Sequence, residues 1–96
     1  MGTVYLIHFS QPHRHARHYL GYADDLERRI RHHRDGSGAR LMQVVTQAGI
    51  SWDVVRTWDG DRSVEKQLKR WHSGADLCPV CQQARIAQRL SNGKQV

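Results

Sequence analysis

The spacing of apolar residues changes several times along the chain, and each change predicts an element. Val4-Tyr5-Leu6-Ile7-His8-Phe9 is a nearly continuous apolar run of strand formers, the pattern of a buried central strand. Ser10 to Ala16 is polar, with Pro12 and alternating His and Arg, and reads as a loop; Arg17 to Tyr22 reads as a second strand, paired with the first as a hairpin. Asp24-Asp25-Leu26-Glu27 opens a helix: Asp24 is placed to cap free backbone N–H groups, and the acids suit the positive end of the helix dipole. That helix is expected to run to about Arg34 and to stop at Asp35-Gly36-Ser37-Gly38. Leu41, Met42, Val45 and Ala48 recur at helical spacing, and Trp52 to Trp58, closed by Asp59-Gly60, is a third strand. A further helix from about Asp61 to Trp71 carries Val64, Leu68 and Trp71 on one stripe, and a last helix follows Cys78-Pro79-Val80-Cys81 through Leu90. The expected architecture is α+β: a small three-stranded sheet flanked by helices in the order β-β-α-α-β-α, with an additional C-terminal helix.

Composition narrows the class. Ninety-six residues allow one small domain, and 39% hydrophobic with 25% charged residues is a globular mixture. No apolar run approaches the roughly 20 residues of a membrane span. Met1-Gly2-Thr3 enters the first apolar run without a charged leader, which speaks against a secretory signal and for a cytoplasmic protein. Fifteen Lys and Arg against nine Asp and Glu give a net charge of +6, which favours an anionic partner, nucleic acid ahead of an acidic protein or a lipid surface. Seven of the basic residues, all arginines, fall within residues 11–40, and no acid occurs from residue 77 onward. The planar fork of arginine suits bidentate contact with phosphate oxygens. Arg14, Arg17, His18, Arg40 and Lys69 are the candidate nucleic-acid contacts, the first three on a loop and strand edge that also holds His13 and His15.

Two helices carry polar residues where an apolar stripe should end. At about 100° per residue, Leu26, Ile30 and His33 share one face, with Arg29 about 60° from Leu26 and i, i+4 from His33. Arg28 and Arg31 point away from that face. Glu65 lies at the rim of the stripe on the later helix. Each has an ordinary reading: Arg29 laying its stem on apolar surface, Glu65 as a solvated carboxylate. Together with two strand tyrosines they would also supply the parts for phosphodiester hydrolysis: a hard carboxylate for Mg²⁺, a cation for the developing phosphorane charge, and a group to take a proton from water.

The order and intervals of these residues are informative. Thr3-Val4-Tyr5, then Tyr19-Leu20-Gly21, then Leu26-x-x-Arg29-x-x-x-His33, then Val64-Glu65-Lys66-Gln67-Leu68 on a later helix resembles the GIY-YIG endonuclease family over about residues 3–72. Thr3-Val4 stands for Gly-Ile and Leu20 for Ile. The resemblance implies a GIY-YIG-like nuclease domain over residues 1–75, with residues 76–96 a CxxC-containing helix and tail packed on it. It implies a metal-dependent DNA endonuclease, from a bacterium or phage, leaving 5′-phosphate and 3′-hydroxyl ends. Catalytic residues would be Tyr5 as general base, Tyr19 positioning phosphate or water, Arg29 against the phosphorane charge, His33 orienting Tyr5 or relaying its proton, and Glu65 holding one Mg²⁺ (or Mn²⁺). Gly21 would leave the backbone open beside the phosphate, or serve as a strand-end glycine. The substrate would be single-stranded, branched or duplex DNA, met by a monomer or homodimer away from any membrane. The alternative is a catalytically inactive nucleic-acid-binding module that uses the same basic face.

Cys78 and Cys81 have metal-ligand spacing, and His72 is the candidate third ligand of a structural Zn²⁺ site. Two partly buried thiols at a helix start, or a local disulfide, are the other readings. Trp52, Trp58 and Trp71 fit core or rim positions better than base-stacking platforms.

Overall fold

The computed structural model describes residues 2–71 and 77–93. Strands β1 (Gly2–His13) and β2 (Ala16–Ala23) lead into helices α1 (Leu26–Asp35) and α2 (Arg40–Gln47), strand β3 (Trp52–Gly60), and helices α3 (Arg62–Trp71) and α4 (Pro79–Gly93). The sheet is antiparallel, in the order β2-β1-β3, so the most apolar strand is central as its composition demands. The fold is α+β.

The loop expected over Ser10 to Ala16 is mostly strand. β1 continues to His13, and the hairpin turns on Arg14 and His15, with Arg14 at a φ of 56°. Backbone pairing decides this stretch: the Ser10 N–H donates to the Ser51 carbonyl at 2.8 Å, and His13 pairs with Ala16. Polar side chains do not prevent a ladder whose ends are solvated. The α1 cap also differs from the expected one. Asp25 caps the helix, its Oδ1 accepting from the Arg28 N–H at 3.2 Å, while Asp24 accepts from the Tyr22 hydroxyl at 2.7 Å. Gly36, at a φ of 87°, closes α1 in a left-handed cap.

Side-chain alternation gives the sheet two covered faces. On one, Tyr5, Ile7 and Phe9 of β1 pack with Trp52, Met42, Val45 and Ile50, and Leu26 and Ile30 of α1 close over them. On the other, Leu6 packs with Leu20, Val55, Trp58 and Leu68, and with Leu77 and Cys78 at the start of α4. Burying a side chain of this size is worth roughly 1.5–3 kcal/mol, so both faces contribute to holding β1 in the centre. Trp52 is buried and Trp58 half-buried, each with an arginine over its ring, Arg34 at 4.4 Å and Arg56 at 4.7 Å. The Trp71 side chain lies outside those described. No described helix is long and apolar enough to cross a membrane.

Candidate active site

The register of the hairpin sets the first face. Tyr5 pairs with Gly21 and Ile7 with Tyr19, so both tyrosines project toward α1. There the Tyr5 hydroxyl meets His33 Nε2 at 2.7 Å; both side chains are fully buried. The Tyr19 ring lies 6.0 Å from the Tyr5 ring and meets the His33 imidazole edge-on at 5.5 Å. Two glycines make this close approach feasible. A Cβ at Gly21 would lie 2.6 Å from the Tyr5 hydroxyl oxygen and 2.7 Å from Tyr19 Cε2, and a Cβ at Gly38 would collide with His33 Nδ1. Gly21 is therefore neither a strand-end residue nor merely an open stretch of backbone; its missing side chain is the space that the two tyrosines occupy. The His33 backbone is fixed in turn, since Trp52 Nε1–H donates to Thr46 Oγ1 at 3.3 Å and the Thr46 hydroxyl to the His33 carbonyl at 3.4 Å.

The electrostatics of the pair follow from its burial. Desolvation pushes the Tyr5 hydroxyl well above the ordinary tyrosine range; Tyr19 adds to the shift, Arg29 opposes it, and Glu65 adds to it slightly. Desolvation likewise lowers His33 to about 4, helped by the Arg29 and His32 charges. At neutral pH the pair is a phenol against a neutral imidazole. His33 Nδ1 has no hydrogen-bond partner among the described residues.

The charges of Arg29 on α1 and, more weakly, Glu65 on α3 bear on the Tyr5 hydroxyl from different elements. Arg29 is exposed on α1 and lines a hollow of about 320 Å³ with Ala23, Asp24, Asp25, Arg28 and His32. Arg28 thus shares the hollow and does not simply face away, but only Arg29 of the two acts on Tyr5 and His33. Glu65, in the first turn of α3, is held partly buried, its side chain 21% exposed, and accepts from Lys69 Nζ at 3.3 Å. Lys69 is therefore an ion-pair partner of Glu65.

The remaining basic candidates separate. Arg14 and Arg40 come together across the hairpin tip and α2, lining one hollow with His13, His15, Leu41 and Val44. Arg17 is exposed on β2, and its charge bears on His8, His18 and Cys81. His18 lies elsewhere: it projects to the opposite face of the sheet and joins a different group.

That group was only half visible in the sequence. The register sets His8 beside His18, and the start of α4 brings Cys78 and Cys81 against them. His8 Nδ1 lies 3.2 Å from His18 Nε2, 3.4 Å from Cys78 Sγ and 3.7 Å from Cys81 Sγ; Cys81 Sγ lies 3.3 Å from His18 Nε2. All four donor atoms are within 4.8 Å of one another, and the group could hold a metal ion. Both cysteines are free thiols. His72, the third ligand expected from the sequence, lies outside the described residues. His8 and His18 carried a signal in the strand pattern, since the register that pairs Tyr5 with Gly21 also pairs His8 with His18 on the other face.

Compared with protein-family models, curated proteins and solved structures, the chain matches none. Function is therefore argued from the site itself.

Proposed function

We propose that the chain is a metal-dependent endonuclease that hydrolyses phosphodiester bonds in DNA to 5′-phosphate and 3′-hydroxyl ends, as its resemblance to the GIY-YIG family implies. The observation that carries this reading is the convergence on one hydroxyl. Tyr5 is hydrogen-bonded to His33 and flanked by Tyr19, and it feels the charges of Arg29, on the same helix as His33, and of Glu65, on α3.

Each residue then has a task set by its surroundings. Arg29 is the exposed cation of the set, placed to meet a phosphate and to stabilise the charge that builds on it. Tyr19, half-buried beside Tyr5, offers a hydroxyl to position phosphate or water. Tyr5 is the candidate general base. Burial opposes its ionisation, so it takes a proton only where positive charge offsets that burial, and Arg29 is the resident charge. His33 is better suited to orienting Tyr5 than to relaying its proton, because its low pKa makes it a weak acceptor.

Glu65 fits Mg²⁺ or Mn²⁺: it is a hard oxygen donor, partly shielded, and Mg²⁺ commonly uses one or two carboxylates together with substrate phosphate and water. When bound, such an ion would polarise the phosphate and stabilise the leaving oxygen. Arg14, Arg17 and Arg40 are the groups we assign to backbone grip, which makes binding salt-dependent.

The test is cleavage of single-stranded, branched and duplex DNA with Mg²⁺ or EDTA. Glu65→Ala and Arg29→Ala should each lower turnover by about 10²–10³-fold. Arg28→Ala, in the same hollow, should change it severalfold at most. Equal cleavage by wild type and Glu65→Ala would remove the metal assignment. Salt-sensitive binding with no metal-dependent cleavage of any substrate would favour the inactive binding module.

A further inference from the structure

We propose that His8 Nδ1, His18 Nε2, Cys78 Sγ and Cys81 Sγ bind one zinc ion, in a structural site that clasps the first turn of α4 to the sheet. The site is separate from the candidate nuclease centre and does not rest on that reading.

The distances are those of a coordination shell. Zinc–sulfur bonds of about 2.3 Å and zinc–nitrogen bonds of about 2.0–2.1 Å, arranged tetrahedrally, set ligand atoms about 3.3–3.8 Å apart. Four of the six separations run from 3.2 to 3.7 Å. A hydrogen-bond network explains them poorly. His8 Nδ1 has three neighbours within 3.7 Å, and one ring nitrogen carries at most one proton or one lone pair. Four of the six donor separations fall in the range a tetrahedral ion requires, and all six lie within 4.8 Å.

The chemistry of the donors selects the metal. Two sulfurs and two imidazole nitrogens in a tetrahedron favour zinc over Mg²⁺, which prefers six oxygens. Two thiolates also balance the double charge of the ion, so the closed site is neutral and tolerates partial burial. Binding releases the two thiol protons to solvent. The backbone assists: Cys78 immediately precedes α4, Pro79 is its first residue, and the Gln82 N–H donates to the Cys78 carbonyl at 3.0 Å. Both sulfurs are therefore held at the start of α4, facing the two strand histidines.

The fold supplies a reason for the clasp. α4 is 15 residues long, and helices of that length are marginal in water without a partner. Leu77, Cys78 and Cys81 pack against the sheet, whereas the side chains from Gln82 to Ala87 are exposed, Ile86 at 54%. Among the described side chains, the buried apolar attachment of α4 lies at its start, where the four donors meet.

The experiment is metal analysis of protein purified without chelator or metal-affinity resin. We expect one zinc per chain, loss of it in His8→Ala and Cys78→Ser, and a lower Tm when a strong chelator strips the wild type. His72→Ala should keep its zinc. His18→Cys, which replaces one ligand by another, should also keep it and so guards against loss through misfolding. Cobalt exchanged into the wild type should give the visible spectrum of a tetrahedral site with sulfur ligands. A chain that takes up neither zinc nor cobalt, an octahedral cobalt spectrum, or a Cys78–Cys81 disulfide with no free thiol would each overturn the proposal. Glu65→Ala separates the two readings, since it should lose cleavage and keep its zinc.

Discussion

Tyr5 and His8 are three residues apart on β1, and their side chains serve opposite faces of the sheet. Toward α1, Tyr5 meets the buried His33 and the half-buried Tyr19, and the charges of Arg29 and Glu65 bear on its hydroxyl. Toward α4, His8 and His18 meet two cysteines. The first group presents oxygen and a cation to the outside; the second closes nitrogen and sulfur on itself. One hairpin register, with its period of two, builds both. The two faces should therefore fail independently, although they share strands.

The largest separation should come from Gly21→Ala. The added methyl would fall 2.6 Å from the Tyr5 hydroxyl oxygen and 2.7 Å from both Tyr5 Cζ and Tyr19 Cε2, all parts of packed rings. Tyr5 has no empty space to enter, since it is buried against His33, so relief must come from displacing the pair. Overpacking of this kind costs about 1–3 kcal/mol. A displacement near 1 Å at a reacting group costs about 10²-fold in turnover. We expect that loss in the cleavage assay, a lowered Tm, and an unchanged zinc content. Zinc lost together with activity would mean that the two faces behave as one unit.

The faces also differ in how far the sequence disclosed them. The first was legible because its parts lie on short, regular intervals: Tyr19 to Gly21 on a strand, then Arg29 and His33 one helical turn apart. The second joins residues 70 positions apart, and local periodicity carries no information about which face of a sheet a distant CxxC will reach. The cysteines were visible without their partners: His8 falls inside the apolar run of β1, and His18 among the basic residues of the hairpin. His18 in particular was grouped with Arg14 by adjacency, whereas alternation turns it to the other face, toward His8 and the cysteines. Strand and helix order were readable throughout. Boundaries failed where tertiary pairing overrode side-chain type, as at Ser10 to His13, and where a rival donor engaged the capping carboxylate, as the Tyr22 hydroxyl does with Asp24.

Acid should reveal the first face through His33. Its pKa is about 4 in the folded chain against 6.5 when exposed, so between these values the unfolded state binds the extra proton. The stabilisation from keeping His33 neutral is complete above pH 6.5 and is lost as pH falls toward 4, by an amount on the order of 3 kcal/mol. His8 and His18, lowered chiefly by burial, add to the acid loss in the same direction. Comparing wild type with His33→Gln cancels their share. Denaturant unfolding at pH 7.5 and pH 5 should show a shallower loss in the variant. Parallel losses would assign the acid sensitivity to the other face.

The smallest effect concerns the metal preference of the first face. The carboxylate of Glu65 is already paired with Lys69 Nζ at 3.3 Å, and the lysine side chain is 57% exposed. A solvated i, i+4 pair of this kind is worth about 0.3–0.5 kcal/mol, so an incoming divalent ion displaces it at little cost. Lys69→Gln should lower the Mg²⁺ concentration for half-maximal cleavage by about twofold, because 1.4 kcal/mol corresponds to tenfold. Tm and zinc content should not change. A raised KM with a flatter salt dependence, and no shift in the Mg²⁺ requirement, would instead make Lys69 a phosphate contact. The sign of this small shift matters more than its size: a carboxylate that binds Mg²⁺ more tightly without its lysine is a metal ligand held in reserve by a weak partner.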